Sequence, residues 1–98
     1  MAPSKEFIIK DIRKFIGKDK FSMWYFGITN DPERRLFKEH NVHEKRGNYI
    51  WHTTNSLNIA RVIERLFIFQ FGCKGNIGGG NCKSVFVYAY KRTKNTVE

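Results

Sequence analysis

The feature that most constrains the fold is a strand that runs straight into a helix between residues 21 and 40. Side chains alternate from residue 21 to residue 28, which is the pattern of a strand with two different faces. One face carries Trp24, Phe26 and Ile28, and the other carries Met23, Tyr25 and Gly27. The following helix can be capped by Asn30 or Asp31, and Pro32 fits its first position. Side chains of the strand and of this helix can therefore meet near the junction.

Tyr25 and Arg35 are the first candidate functional residues at this junction. A phenol from the strand and a guanidinium from the helix can approach the same phosphate group, and the planar fork of arginine suits that role. Arg34 and Lys38 lie four positions apart on another face of the helix, which makes them candidate DNA contacts.

The rest of the chain predicts two more helices and two more strands. The predicted helices cover residues 4–16 and 57–71, and the predicted strands cover residues 48–54 and 85–90. Together with the central stretch, this order predicts an α+β fold in which a small three-stranded antiparallel sheet is flanked by about three helices. We expect residues 1–98 to form one domain, with residues 92–98 as a basic, frayed tail.

Glu64 is an acidic residue that the helical pattern places among apolar residues. At 100° per residue it falls in the middle of an apolar arc, which is formed by Leu57, Ala60, Phe67, Ile68 and Phe71. A carboxylate among apolar neighbours is costly unless it is paired or binds a cation. Either an ion pair with Arg61, Arg65 or Arg35, or a divalent metal ion, could satisfy it.

The balance of charge favours a polyanionic partner. The chain has 18 Lys and Arg against 9 Asp and Glu, a formal charge of +9, and nucleic acid is the first candidate for such a small basic domain. The alternatives are a charge that only aids solubility, or a basic protein that meets ribosomes or membranes nonspecifically. No segment approaches the roughly 20 apolar residues of a membrane helix, and no secretion signal is recognisable, so a cytoplasmic protein is expected.

Cys73 and Cys82 are expected to be free thiols without zinc.

Residues 72–84 are rich in glycine but do not form a Walker A motif, because Cys82 stands where its second glycine would be. This loop also joins a helix to a strand, which is the reverse of a phosphate-binding loop of that type. A loop that lets the backbone approach DNA and a plain long turn are both compatible with the pattern. Asn81 and Lys83 are its candidate DNA-binding residues.

Residues 21–72 resemble the GIY-YIG nuclease family. Tyr25-Phe26-Gly27 stands where the family has its YIG tripeptide, and Arg35 follows Tyr25 at the spacing of the family's essential arginine. The segment from Ala60 to Glu64 is similar to the helix that bears the family's metal-binding glutamate. No GIY tripeptide precedes Tyr25 at the usual short distance, and an initial helix occupies that part of the chain. The C-terminal strand is therefore expected to replace the missing edge or centre of the sheet.

The resemblance implies a role for each matching residue. Glu64 and several waters would hold one Mg²⁺ or Mn²⁺ ion, Arg35 would neutralise the phosphate, and Tyr25 would orient or deprotonate the attacking water. The second tyrosine of the family could be replaced by Tyr88 or Tyr90 only if the last strand lies beside the first. Where the family often has a histidine or tyrosine, this chain has Glu39, and His40 follows one residue later. His40 reaches the site only if the helix is locally shifted. Asn81, or less well Asn76, could match a terminal asparagine of the family.

The function that these observations predict is a metal-dependent DNA endonuclease acting on duplex DNA. A noncatalytic nucleic-acid-binding module on the same scaffold is the main alternative, and a protein-interaction or inhibitor domain is a third. For the nuclease, we expect Tyr25, Arg35 and Glu64 to converge on one open, solvent-reachable pocket.

Overall fold

The computed structural model describes residues 2–77, residue 83 and residues 85–98. It confirms the predicted α+β class, with a three-stranded antiparallel sheet and about three helical segments. In chain order the regular elements are α1 (Lys5–Ile16), β1 (Trp24–Thr29), β2 (Tyr49–Thr53), α2 (Leu57–Arg65) and β3 (Phe86–Lys91). A 3₁₀ turn (Phe21–Met23) precedes β1, a π-helix (Arg34–Glu39) follows it, and a second π-helix (Leu66–Gln70) continues α2.

Helix α1 begins and ends as its sequence indicates. The Ser4 hydroxyl accepts a hydrogen bond from the backbone N–H of Phe7 at 3.1 Å, which satisfies one free donor of the first turn. Gly17 ends the helix with φ at 65°, a conformation that glycine adopts without steric cost. Between them Ile8, Ile12 and Ile16 are buried, and they hold the helix against the sheet.

The C-terminal strand β3 is the centre of the sheet. The strand order is β1-β3-β2, and both neighbours of β3 are antiparallel to it. In this register Tyr88 stands opposite Gly27 on one side and Trp51 on the other. The last strand therefore lies beside the first, which is the condition under which Tyr88 could enter a site with Tyr25.

The two faces of the sheet have different partners. One face packs on α1 and α2 and forms the larger core; its buried members include Ile8, Ile12, Trp24, Phe26, Ala60, Ile63, Phe67, Val87 and Ala89. The other face packs on the π-helix Arg34–Glu39; its buried members are Tyr25, Leu36, Val42, Tyr88 and Tyr90. Tyrosines dominate this second cluster, so it carries hydroxyl groups inside the protein.

The outer edge of β1 is covered by the segment that follows the second π-helix. The Lys74 carbonyl accepts from the N–H of Phe26, and the Lys74 N–H donates to the Trp24 carbonyl, each at 2.8 Å. A Cβ atom on Gly75 would lie 2.5 Å from the Phe26 carbonyl oxygen, so glycine permits this close approach. Every residue of β1 is buried as a result.

Several boundaries differ from those predicted. The alternation from residue 21 suggested a strand there, but residues Phe21–Met23 form a 3₁₀ turn and β1 begins at Trp24. The helix predicted over residues 57–71 is α-helical only to Arg65 and then widens into the π-helix Leu66–Gln70. Apolar spacing alone does not separate these helix types, because a one-residue insertion leaves the buried face nearly continuous.

Residues 92–98, predicted as a frayed tail, instead fold back on the domain. The Val97 N–H donates to the His40 carbonyl at 2.8 Å, and Asn41 Nδ2 donates to the Asn95 carbonyl at 2.9 Å. Arg92 donates to the Ser22 carbonyl and pairs with Glu98. These contacts join the segment to the end of the first π-helix, which composition could not show. Among the described residues, no helix is long and apolar enough to cross a membrane.

Candidate active site

Tyr88, Arg35 and His40 form a hydrogen-bonded cluster on the tyrosine-rich face of the sheet. The Tyr88 hydroxyl oxygen lies 3.3 Å from Arg35 Nε, which donates to it, and 2.7 Å from His40 Nε2. Tyr88 is fully buried, so these two groups define the environment of its phenol. Gly27 makes the arrangement possible, because the Tyr88 ring crosses β1 where a glycine has no side chain.

The π-helix brings His40 into this cluster. In a π-helix the backbone bonds run from residue i to residue i+5, and the His40 N–H donates to the Arg35 carbonyl at 2.9 Å. Arg35 and His40 are therefore one turn apart on the same side. An α-helix would turn His40 about 100° away from position 39. From the sequence, His40 was expected to reach the site only if the helix were locally shifted. The π-helix provides that shift.

The surroundings of His40 indicate which ring nitrogen carries the proton. His40 Nδ1 lies 2.7 Å from the Val97 carbonyl oxygen, which can only accept, so we assign the proton to Nδ1. His40 Nε2 then accepts from the Tyr88 hydroxyl. Burial lowers the pKa of His40, which favours this neutral form at pH 7, although the hydrogen bond to Val97 acts in the opposite direction.

Tyr25 lies beside this cluster and stacks against its aromatic rings. Its ring centroid is 4.8 Å from that of His40 and 5.3 Å from that of Tyr90. Burial raises the pKa of Tyr25, while the Arg35 charge and a hydrogen bond from the Asn76 backbone lower it. The negative charges of Glu98 and, to a smaller extent, Glu64 raise the pKa of Tyr25 further.

Glu64 is buried, as its position in the apolar arc predicted. Only 1% of the residue is exposed, and its Oε1 atom has no hydrogen-bond partner among the described residues. Burial raises the pKa of this carboxyl to about 7, while the charges of Arg61 and Arg65 lower it. The predicted open pocket is not observed, because Tyr25 is also only 3% exposed. One oxygen of this buried carboxyl group lacks a hydrogen-bond partner, however. A proton or a bound cation would remove the energetic cost of leaving it unpaired.

A divalent cation at Glu64 would depend mostly on water ligands. No three His, Cys, Asp or Glu side chains come together as a metal site within residues 2–77, 83 and 85–98. Mg²⁺ often keeps several waters and binds through one or two carboxylates, so Glu64, which is 1% exposed, could hold that ion only in a form of the site that has opened to admit those waters. A single glutamate does not fit zinc, which takes three or four protein ligands.

The other predicted contact residues surround the arginines or lie in the glycine-rich loop. Arg34 donates to Asn30 Oδ1 at 3.3 Å and pairs with Glu39 at 3.2 Å. Lys38 and Lys83 are exposed. Asn81 lies outside the described residues, as does Cys82. Cys73 is a free, buried thiol, and burial raises its pKa to about 12.

Three further groups position the cluster, and sequence reasoning considered only Tyr90 among them as a possible site residue. Glu39 Oε1 accepts from Arg35 Nη1 at 2.6 Å, so the residue considered a mismatch to the family holds the arginine. The Tyr90 hydroxyl lies 3.1 Å from His40 Nδ1, and the Val97 carbonyl orients the same ring. The spacing of Arg35 and Glu39 is the usual one for a helical ion pair and could have indicated the first contact. Nothing in the local sequence indicates the contact from Val97.

Gly27→Ala is expected to destabilise the fold by about 1–3 kcal/mol through overpacking. The added Cβ would lie 2.5 Å from the Tyr88 hydroxyl oxygen and 2.6 Å from its ring carbon Cζ, inside a fully buried site. Urea denaturation of Gly27→Ala measures the loss. In a Tyr88→Leu background the same substitution should cost much less, because the ring that it meets is gone. Equal costs in the two backgrounds would contradict this packing.

Replacing Glu64 by glutamine should change how stability depends on pH. Below pH 4.5 the carboxyl is protonated in both the folded and the unfolded chain, so it costs nothing. Between pH 4.5 and about 7 the unfolded chain ionises first, and the stability of the wild-type protein falls as pH rises. Above about pH 7 the whole penalty, about 3 kcal/mol, is present. Without divalent cations, Glu64→Gln should lack this loss in chemical denaturation, and parallel pH profiles would contradict the assignment.

Comparison of the chain with protein-family models, with curated proteins and with solved structures found no significant match.

Proposed function

We propose that this chain is a metal-dependent DNA endonuclease of the GIY-YIG type. The observation that carries the proposal is the Arg35–Tyr88–His40 cluster beside Tyr25, which stands together with the unpaired Oε1 of buried Glu64. Tyr25, Arg35, Tyr88 and His40 come together on the tyrosine-rich face of the sheet. Their arrangement supports the roles that the resemblance implies, with Tyr88 in place of the tyrosine of the missing GIY tripeptide.

Arg35 would bind the scissile phosphate. Its guanidinium is fixed by Tyr88 at Nε and by Glu39 at Nη1, and its side chain is partly exposed. The hydrogen bond to Tyr88 raises the pKa of Arg35, so the group keeps its charge. A fixed cation beside the phosphate stabilises the negative charge that develops during phosphodiester hydrolysis.

Tyr88 and Tyr25 would have different parts in the proton chemistry. The Tyr88 hydroxyl donates to His40 and accepts from Arg35, so it positions the arginine rather than meeting the substrate. Tyr25 would orient the attacking water, and the Arg35 charge opposes the rise in its pKa. Glu64 would hold Mg²⁺ or Mn²⁺; when bound, this ion supplies positive charge and a more acidic water.

The charge of the chain supports DNA as the substrate. A formal charge of +9 favours a polyanion, and Arg34 and Lys38 lie on the same π-helix as Arg35. A cytoplasmic location belongs to the same proposal.

A noncatalytic nucleic-acid-binding module is the second candidate, and one observation favours it. Glu64 and Tyr25 are almost fully covered, so substrate or hydrated metal could reach them only after the site opens. A module of this kind would keep the charge and the scaffold without cleaving DNA.

Incubation of the chain with supercoiled plasmid separates the two candidates. With Mg²⁺ or Mn²⁺ the nuclease should convert the plasmid to nicked and linear forms, and chelation of the metal should stop the reaction. Plasmid that binds and stays supercoiled under both conditions would favour the binding module.

A further inference from the structure

A second aromatic surface lies on the same face of the sheet as the candidate active site. It consists of Phe37, Tyr49 and Trp51, which we call the aromatic platform. The Tyr49 and Trp51 rings are nearly parallel, at 10°, with centroids 6.0 Å apart, and Phe37 meets Tyr49 edge-on at 5.1 Å. All three residues are half-buried, so each remains partly accessible to solvent.

The platform is fixed in place and close to the cluster around Tyr88. The Tyr49 hydroxyl donates to the Glu44 carbonyl at 2.8 Å, which holds the ring. Trp51 stands opposite Tyr88 in the β2–β3 register, and adjacent strands lie about 4.8 Å apart. Tyr88 accepts a hydrogen bond from Arg35, the residue proposed to bind the phosphate. The platform therefore begins one strand away from the tyrosine that holds this arginine.

Exposed cations flank the platform. Lys45 and Arg46 lie in the turn that leads into β2, and their backbone N–H groups donate to His43 Nδ1 at 3.2 and 3.1 Å. Lys38 follows Phe37 in the first π-helix and is also exposed. Glu44 is the acidic residue in this turn, so the surroundings of the platform are basic on balance. A partly exposed aromatic cluster bordered by cations is complementary to a strand of nucleic acid, because its rings can stack on bases and the cations can pair with phosphates.

We propose that the aromatic platform binds unpaired bases of a nucleic acid strand. Every base has a flat face that stacks on an aromatic ring, whereas the base faces within an intact duplex are already stacked on one another. The platform would therefore place unpaired or extruded nucleotides next to the Arg35 site. If the proposed nuclease function is correct, the platform would direct cleavage to DNA with unpaired nucleotides, and this part of the inference rests on that function. The binding of bases by the platform does not itself require catalysis.

Three oligomers of equal length test the proposal: single-stranded (dT)₁₂, a 12-base-pair duplex, and an abasic strand that keeps the phosphates but lacks the bases. The chain has two tryptophans, and Trp24 is buried at 2% exposure, so (dT)₁₂ should quench mainly Trp51 fluorescence in the wild-type protein. The anisotropy of dye-labelled oligomers measures binding by the wild type and the variants alike. Trp51→Ala should weaken (dT)₁₂ binding roughly 10-fold, as expected for the loss of one stacked base, and change abasic-strand binding less than about twofold. Tyr49→Ala should act in the same direction.

Phe69→Ala is the matched control, because Phe69 is a 71% exposed aromatic residue in the second π-helix, outside the platform. It should leave (dT)₁₂ binding unchanged. Equal losses for (dT)₁₂ and the abasic strand in Trp51→Ala, or no loss for either, would overturn the proposal. A dimer that Trp51→Ala dissociates would also overturn it and assign the surface to a second copy of the chain.

The outcomes separate this inference from the proposed nuclease function. If plasmid is never cleaved but Trp51→Ala still loses (dT)₁₂ selectively, the platform stands and the nuclease assignment fails. If plasmid is cleaved but Trp51→Ala binds (dT)₁₂ normally, the nuclease stands and the platform fails.

Discussion

Glu64→Ala is expected to lower plasmid cleavage by at least about 10³-fold, because a bound metal ion supplies several kcal/mol of charge stabilisation in phosphoryl transfer. Duplex DNA binding should stay within about twofold of wild type, since removing an acidic group does not weaken attraction to phosphate. Plasmid conversion and fluorescence anisotropy, measured on the same preparation, give the two numbers.

Glu6→Ala is the matched control for Glu64→Ala. Glu6 is an exposed acid in the first turn of α1, where it lies 3.8 Å from Lys5. At pH 8, where Glu64 is also ionised, the loss of either residue changes the net charge by nearly the same amount. It should leave cleavage intact. If Glu64→Ala cleaves at the wild-type rate, Glu64 holds no metal needed for the reaction.

Arg35→Ala is expected to reduce both cleavage and binding. Loss of one fixed donor to the developing charge should slow cleavage by about 10²- to 10³-fold. Loss of one phosphate contact should also lower the slope of log affinity against log salt by about 0.9. Cleavage rates and salt titrations of DNA binding measure these effects separately.

Arg35→Lys distinguishes charge from geometry at this position. Lysine keeps the positive charge, but it lacks the planar fork that reaches Tyr88 and Glu39 together. We therefore expect Arg35→Lys to bind DNA nearly as wild type and to cleave it poorly. Equal cleavage by Arg35→Lys and wild type would show that fixed geometry at this residue has no role.

The parts of the fold set by local chemistry could be predicted from the sequence. Ser4 and Gly17 mark the ends of α1, and both act there as caps. Glu64 was expected inside because its neighbours on the helical wheel are apolar, and it is buried. Such features depend on residues within a few positions of each other, so spacing is enough to read them.

The parts set by contacts distant in sequence could not be predicted in the same way. Alternation in residues 85–90 predicts a strand, but it does not state that β3 lies between β1 and β2. The enclosure of the site also depends on Val97, which binds His40 from 57 positions away. Pairing across such distances leaves no periodic pattern in either segment.

The π-helix marks a different limit of sequence reasoning. A wheel drawn at 100° per residue assumes an α-helix, and on that wheel His40 points away from Arg35. The inserted residue of the π-helix corrects the direction, and π-helices are often found at functional sites. His40 was nevertheless a candidate, because it lies only one residue beyond the position after the arginine where the similar family often has a histidine or tyrosine.

The central claim is that Glu64 is a divalent-metal ligand in a DNA-cleaving site. The most direct test measures the Mg²⁺-dependent rise in Tm and plasmid cleavage together, for the wild-type chain and for Glu64→Gln at pH 8. The account predicts that Mg²⁺ raises the Tm of the wild-type protein, because the ion binds the ionised carboxylate only in the folded state, and that this protein cleaves DNA. Glu64→Gln should show neither effect while staying folded. The same Mg²⁺ shift in both proteins, or cleavage by Glu64→Gln at the wild-type rate, would contradict the claim.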